Sequence, residues 1–596
     1  MRLGLPPLAC KDLIARKMTT DPEIKAGYKA AADYVTDAYA RVSDIGAGRH
    51  WYDLPYKVMW ALQRSKLGRR LPRYIRVKLN HAINYLIVFH QHDLNKAWSR
   101  EDPLHNISVP ADDHAYIGGI WVVELFPPSE LGTLTASIKR NSWDKQRAWV
   151  GTGMPNLEML NNSRAGRGLS WWRLAEIASP VAPYTFSDGI RADLPAGFQA
   201  VQLIATEVGA GLTAVLAYFH LDETGAGMVD EQWHADHEPQ IVYGKGLPRP
   251  ESRQFAAYRR TQRARRSLHE TARRWIADNC PGVFVRSDEP QPSMDVILLD
   301  KYDPTTMDPS LELLDALRAL GLTEHNSYRR ASPDLPGFLL EPPADEMLTP
   351  GMGGDPIWAL WGRQETVATN FDSVLAMHGG DARGIAEIVN NQMRRLMVLI
   401  AISQLLTIMN KKLSAMRDNA RSRHGRFSAK DLNQLRETFL TFSMDLTSVR
   451  RDLDAFNFQA RMGEGQAEFE GNYAPRVLNF YEKRGSIPEP ININNKLQER
   501  QIQGFDLLVA ADGDYREILS TVASLGASVS ASRLGRAALV IAIATLVVAV
   551  ATLLTAKLDS SAPLAVLGKW LWSLVGKLRN LLPLSLPESQ DPVVHR

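Results

Sequence analysis

One apolar run dominates the hydrophobic pattern of this chain: Ala537–Ala556, twenty residues without a charge, bounded by Arg533 and Arg536 before it and by Lys557 and Asp559 after it. A helix of that length reaches about 30 Å, the thickness of a bilayer's hydrocarbon core. The run predicts a transmembrane helix. Beyond it, Pro563–Leu584 repeats with helical period. Lys569, Ser573, Lys577 and Asn580 fall on one face, while Leu567, Trp570, Leu571, Leu574 and Leu578 fill the other. That division describes a helix lying in the headgroup layer, with Trp570, Trp572, Lys569 and Lys577 as its membrane contacts. A second span over the same residues would make a hairpin, but Lys569, Lys577 and Arg579 oppose it, at about 2.5–3.5 kcal/mol for a central charge.

Upstream the pattern divides in two. Ile117–Phe126, Val201–Val208, Leu212–His220 and Met294–Leu299 are rich in β-branched and aromatic residues and predict strands. Gly209-Ala210-Gly211 joins two of them as a hairpin turn. Pro22–Arg100, including Tyr28–Val42 and Asn80–His92, and the polar stretch Pro250–Asp278 predict helices. Leu335–Asp355, dense in Pro, Gly and acids, predicts a surface loop or linker. Two long helices follow, Gly384–Asn419 and Ser428–Gln459. The second carries a heptad seam of Leu432, Leu435, Phe439, Phe442, Leu446, Val449, Leu453 and Phe456. The short connector Ala420–Phe427 and the apolar Leu396–Met409 favour packing of this seam within one chain. The same residues, Leu432 to Leu453, could instead join two copies. A parallel pair would match Asp431 with Arg436 and Asp445 with Arg450. A last helical segment, Asn494–Arg536, interrupted near Gly504 and Asp512–Asp514, leads to the apolar run.

The fold class expected is therefore an α+β cytoplasmic domain with neighbouring strands antiparallel, an α-helical, coiled-coil-like stalk and a C-terminal transmembrane helix. The expected divisions are a helical region 1–105, an α+β domain 106–334, a linker with a short helix 335–383, a helical bundle or stalk 384–536, the span 537–556 and a tail 557–596 with an interfacial helix. A length of 596 residues exceeds what one core supports, which agrees with several units. A net charge of +3 excludes a polyanion binder acting through overall charge. Two cysteines, Cys10 and Cys280, exclude a disulfide framework and point to a reducing compartment. Pro6 and Pro7 break the first apolar residues too early for a secretory signal, and Met18 opens a better helix start than Met1. The expected location is the bacterial inner membrane, single-pass, with the large N-terminal part cytoplasmic.

Candidate chemistry is sparse. His234, His237 and Asp236, with His220 at the preceding strand end, are ligand types suited to zinc, in what reads as a loop without an HExxH motif or cysteine pair. Arg259, Arg263 and Arg266 lie in the basic helix and Arg64–Lys78 forms a second basic cluster. Either could hold an anion such as a lipid headgroup, and neither carries a nucleic-acid-binding pattern. Phosphate-loop and nucleophile-elbow motifs are missing, so no catalytic residue and no cofactor is expected. The order of soluble region, long helices and C-terminal apolar segment resembles CorA-type magnesium channels. That family carries Gly-Met-Asn at the end of its first span, where this chain has Thr555-Ala556-Lys557, and no residue is carried over. The expected function is a membrane-anchored, non-enzymatic sensor, scaffold or effector that contacts the bilayer. The alternatives are an oligomeric pore with a two-helix membrane hairpin, or a membrane-tethered enzyme.

Overall fold

A computed structural model describes residues 42–99, 107, 109–146, 153–167, 170–182, 189–244, 246–307, 309, 311–323, 327–343, 357–371, 382–422, 429–460, 466–482, 489–555 and 572–573. The chain divides into two units, Met1–Gly513 and Asp514–Arg596.

The helices of the described residues are α1 (Asp53–Arg64), α2 (Lys66–Arg70), α3 (Arg73–Ser99), α4 (Leu131–Arg140), α5 (Asn156–Arg164), α6 (Glu223–His234), α7 (Arg253–Asn279), α8 (Val283–Arg286), α9 (Leu311–Leu320), α10 (Gln364–Asn370), α11 (Ala382–Ser422), α12 (Ala429–Ala460), α13 (Pro475–Glu482) and α14 (Ile493–Thr555). The strands are β1 (Ala115–Phe126), β2 (Trp171–Ala178), β3 (Ile190–Arg191), β4 (Phe198–Glu207), β5 (Thr213–Leu221), β6 (Gln240–Val242), β7 (Arg249–Glu251), β8 (Ser293–Leu299), β9 (Tyr328–Ala331), β10 (Phe338–Glu341), β11 (Ile357–Arg363), β12 (Glu470–Tyr473) and β13 (Ile491–Asn492). Eleven of these form one sheet in the order β13-β12-β9-β10-β11-β8-β1-β5-β4-β2-β3, and β6 pairs with β7 separately.

The four expected strands are present, and the Gly209–Gly211 turn joins β4 to β5 antiparallel. The sheet is mixed, however, because β8 runs parallel to β11 and β2 parallel to β3. Helices cover both faces. On one, α6, α7 and α9 bury Leu268, Ala272, Ile276 and Leu317 against Ile120, Val122, Phe219 and Ile297. On the other lies α11, where Trp121 donates from its indole to Asn390 at 2.9 Å. Burial on both sides explains why β1, β5 and β8 read as continuous apolar runs instead of alternating ones. Gly118 and Gly119 make the approach possible: a Cβ would come within 3.2 Å of the Ala382 carbonyl at the first and 2.5 Å of the Tyr218 ring at the second.

Three further expectations change. Among the described residues, the helix long and apolar enough to cross a membrane is Gly384–Asn419, internal and not C-terminal. It belongs to α11, and 61% of its most apolar window is buried inside the protein. A helix that is apolar all round is what a position between a sheet and other helices demands. At the C-terminal end, the described apolar helix is the shorter Gly535–Ala551. The stretch read as a linker supplies β10, β11 and α10, and β12 and β13 enter the same sheet from beyond the long helices. Finally, α14 runs unbroken through Gly504 and Asp512. Those residues are contact points: a Cβ at Gly504 would meet Leu406, and the buried Asp512 accepts from Ser443 Oγ at 2.7 Å.

The apolar seam packs within the first unit, as the favoured reading of its short connector expects, and a coiled-coil stalk is not seen among the described residues. Leu435, Phe439, Phe442, Leu446, Val449, Leu453 and Phe456 are all buried in their own chain; the side chain of Leu432 lies outside the described residues. In the second unit, every described side chain from Gly535 to Ala551 is exposed. Trp572 is exposed too, while Trp570, Lys569 and Lys577 lie outside the described residues.

Candidate metal centre

The helix α6 is fixed at both ends. Asp222 caps it by accepting from Gly225 N at 2.8 Å. Near the other end, Trp233 donates from its indole to the Ala316 carbonyl at 2.9 Å. Val229 and Trp233 face the core, so Asp230 and His234, also four residues apart, occupy the adjoining stripe of the same two turns. That stripe faces the start of β1. There His114 is held by its neighbours: its carbonyl accepts from Asp300 N at 3.1 Å, while the Asp113 carboxylate accepts from Lys301 N at 2.8 Å and Tyr302 N at 3.2 Å.

The three side chains converge. His114 Nδ1 lies 2.9 Å from Asp230 Oδ2, and His234 Nε2 lies 3.4 Å from Asp230 Oδ1. The imidazole centroids are 5.1 Å apart, and one ligand atom from each of the three residues lies within 4.8 Å of the others. Asp230 Oδ1 also accepts from Ala115 N at 2.9 Å, and His234 Nε2 sits 3.0 Å from the Asp113 carbonyl. The hydrogen bond to Asp230 holds the His114 imidazole above its usual range, helped by the charges of Asp230, Asp300 and Asp113. Burial, with Asp113 and Asp230 close by, pushes the Asp300 carboxyl up. The cluster is thus rich in carboxylates, and its side chains keep partial access to solvent.

Of the ligands expected from sequence, only His234 belongs to this cluster. The helix ends at His234 and Ala235 is extended, so His237 leaves in another direction. His237 is buried, its Nε2 lies 3.4 Å from the Trp233 carbonyl, and burial pushes its imidazole down. His220 points to the face covered by α11, 4.0 Å from Glu387. Asp236 is exposed and pairs with Arg253 at 3.5 Å. Asp230 and His234 are two ligand types at helical spacing, a signal hidden when the stretch is read as a loop although it is the last turns of α6. His114 carries no such local signal, because it stands 116 residues earlier in the chain.

The arginines expected to hold an anion lie on the outer side of α7. Arg259 pairs with Glu251 at 2.8 Å and Arg263 is exposed, with Arg266 half-buried beside it. Other arginines of the same helix turn inward. Arg265 makes a two-pronged contact with Asp295 on β8, at 2.5 and 2.7 Å. His269 Nε2 lies 3.0 Å from the same carboxylate, and Ser293 Oγ meets both His269 Nδ1 and Arg273. Although burial pushes it up, Arg265 and the His269 hydrogen bond hold the Asp295 carboxyl below its usual range. This network is closed to solvent and joins helix to sheet.

Compared with known protein families, curated proteins and solved structures, the chain finds no match.

Proposed function

We propose that this protein is a membrane-anchored, non-enzymatic sensor, scaffold or effector, its sheet-containing unit held at the cytoplasmic face of the bilayer by Ala537–Ala556. The observation that supports this reading is the exposure of the apolar end of α14: Leu539, Ile541, Leu546 and Val548 are each more than 60% exposed. Apolar side chains cover this helix all round, so no polar face is left to meet water. A helix satisfies its own backbone groups, which hydrocarbon requires, and transfer of the side chains from water to lipid is favourable at about 25 cal/mol per Å² of apolar surface.

The test is membrane partition. Cell membranes carrying the full chain are washed with alkaline carbonate, beside a chain ending at Gly513. The full chain is expected in the pellet and the shortened one in the supernatant. A full chain that washes off without detergent would overturn the anchor.

A further inference from the structure

We propose that His114, Asp230 and His234 bind one divalent transition-metal ion of the zinc class, through His114 Nδ1, His234 Nε2 and an Asp230 carboxylate oxygen. This is independent of the membrane anchor.

Four observations carry it. The donors are the two imidazoles and one carboxylate that borderline divalent ions prefer. Their spacing is close to what an ion requires. Bonds of about 2.0–2.1 Å place tetrahedral ligands about 3.3 Å apart. His114 Nδ1 lies 2.9 Å from Asp230 Oδ2 and His234 Nε2 lies 3.4 Å from Asp230 Oδ1, so each imidazole is near that separation from one of the two oxygens of the same carboxylate. One nitrogen of each imidazole and one Asp230 oxygen all lie within 4.8 Å of one another, so binding an ion shortens no edge by more than about 1.5 Å. Next, a simple ion-pair staple would need one histidine, whereas here two rings from separate elements are directed at a single carboxylate. The backbone around them is pinned, too, by the α6 cap, the Trp233 indole and the N–H bonds to Asp113.

The surrounding charge also suits a cation, since Asp113 and Asp300 add to Asp230 and outnumber the opposing Lys301. Three protein ligands leave at least one coordination position open, and the partial exposure of all three side chains gives an ion and a water molecule access to it. Loading would exchange the His234 contact with the Asp113 carbonyl for a metal bond.

The experiment uses the full chain without an affinity tag, purified in detergent, stripped with a chelator and equilibrated with Zn²⁺. Bound metal is counted by mass spectrometry, and Co²⁺ is added separately to read its visible absorption. About one ion per chain is expected, with a cobalt spectrum showing nitrogen and oxygen ligands. His114→Gln and His234→Gln should each weaken binding at least ~10-fold, the smallest loss usual even for groups that only support a ligand. The exposed His81→Gln should not change it. Circular dichroism of the variants, and a zinc-induced rise in melting temperature seen in the wild type and lost in His114→Gln/His234→Gln, separate lost binding from lost fold. No uptake by the wild type, or equal uptake by the double variant, would overturn the site.

Discussion

Glu124 shows most plainly how one side chain can be set by its surroundings. It is fully buried on β1, its Oε1 accepting from Phe284 N at 2.9 Å and Leu125 N at 3.2 Å. Its Oε2 has no hydrogen-bond partner among the described residues. Burial pushes its carboxyl up to about 8, against the pull of these N–H groups. An acid whose pKa is higher in the folded state stays protonated there at a pH where the unfolded chain has already ionised. Stability is then greatest below the ordinary glutamate range and falls as pH rises to about 8, by about 1.4 kcal/mol for each pH unit crossed. Glu124→Gln keeps the acceptor and removes the titration. Denaturation of both proteins at about pH 5, 6.5 and 8 should show the wild type losing stability relative to the variant. Parallel curves would mean that Glu124 is ionised in the fold.

Among the elements, α12 has two readings in its pattern, and burial favours one of them. Heptad spacing identified its apolar seam, and the structure buries that seam in its own chain. The acids flanking it make different contacts from those a helix pair would make. Asp445 accepts from Ser129 N at 3.0 Å and Ser129 Oγ at 2.5 Å, and Asp452 accepts from Gly211 N at 2.7 Å. Arg450 pairs with Asp506 at 2.5 Å and with Asp454 at 2.7 Å. The glycines of the β4–β5 turn serve this contact, since a Cβ at Gly209 would lie 2.5 Å from the Asp452 side chain. Leu446→Ala is therefore expected to cost about 2–5 kcal/mol in chemical denaturation. Light scattering should show its oligomeric state unchanged. Dissociation of an oligomer without loss of stability would place the seam between chains.

At the scale of the whole molecule, two apolar helices must be told apart. Leu396 in α11 is fully buried, whereas Leu546 in α14 is 64% exposed. Arginine at each site should separate them. Leu396→Arg buries an unpaired charge and should unfold the first unit, seen as loss of its melting transition. Leu546→Arg places a charge in the middle of the proposed span, at about 2.5–3.5 kcal/mol, and should release protein from membranes while the melting transition stays. Release by Leu396→Arg with the transition intact would exchange the two roles.

Local rules were enough to read the strands at Ile117–Phe126, Val201–Val208 and Leu212–His220, the glycine turn between two of them, and the bounds of α11 and α12. Each is decided by side-chain period, β-branching or glycine within a short window. The same rules identify an apolar run but cannot say what covers it. Covering decides whether α11 is core or span, whether the α12 seam meets its own sheet or a second copy, and whether β10 and β11 sit in a linker or a sheet. It also decides His114, which reaches Asp230 only because β1 starts beside the end of α6. Contacts between residues far apart in the chain are set by packing of the whole, and only the tertiary structure brings those residues together.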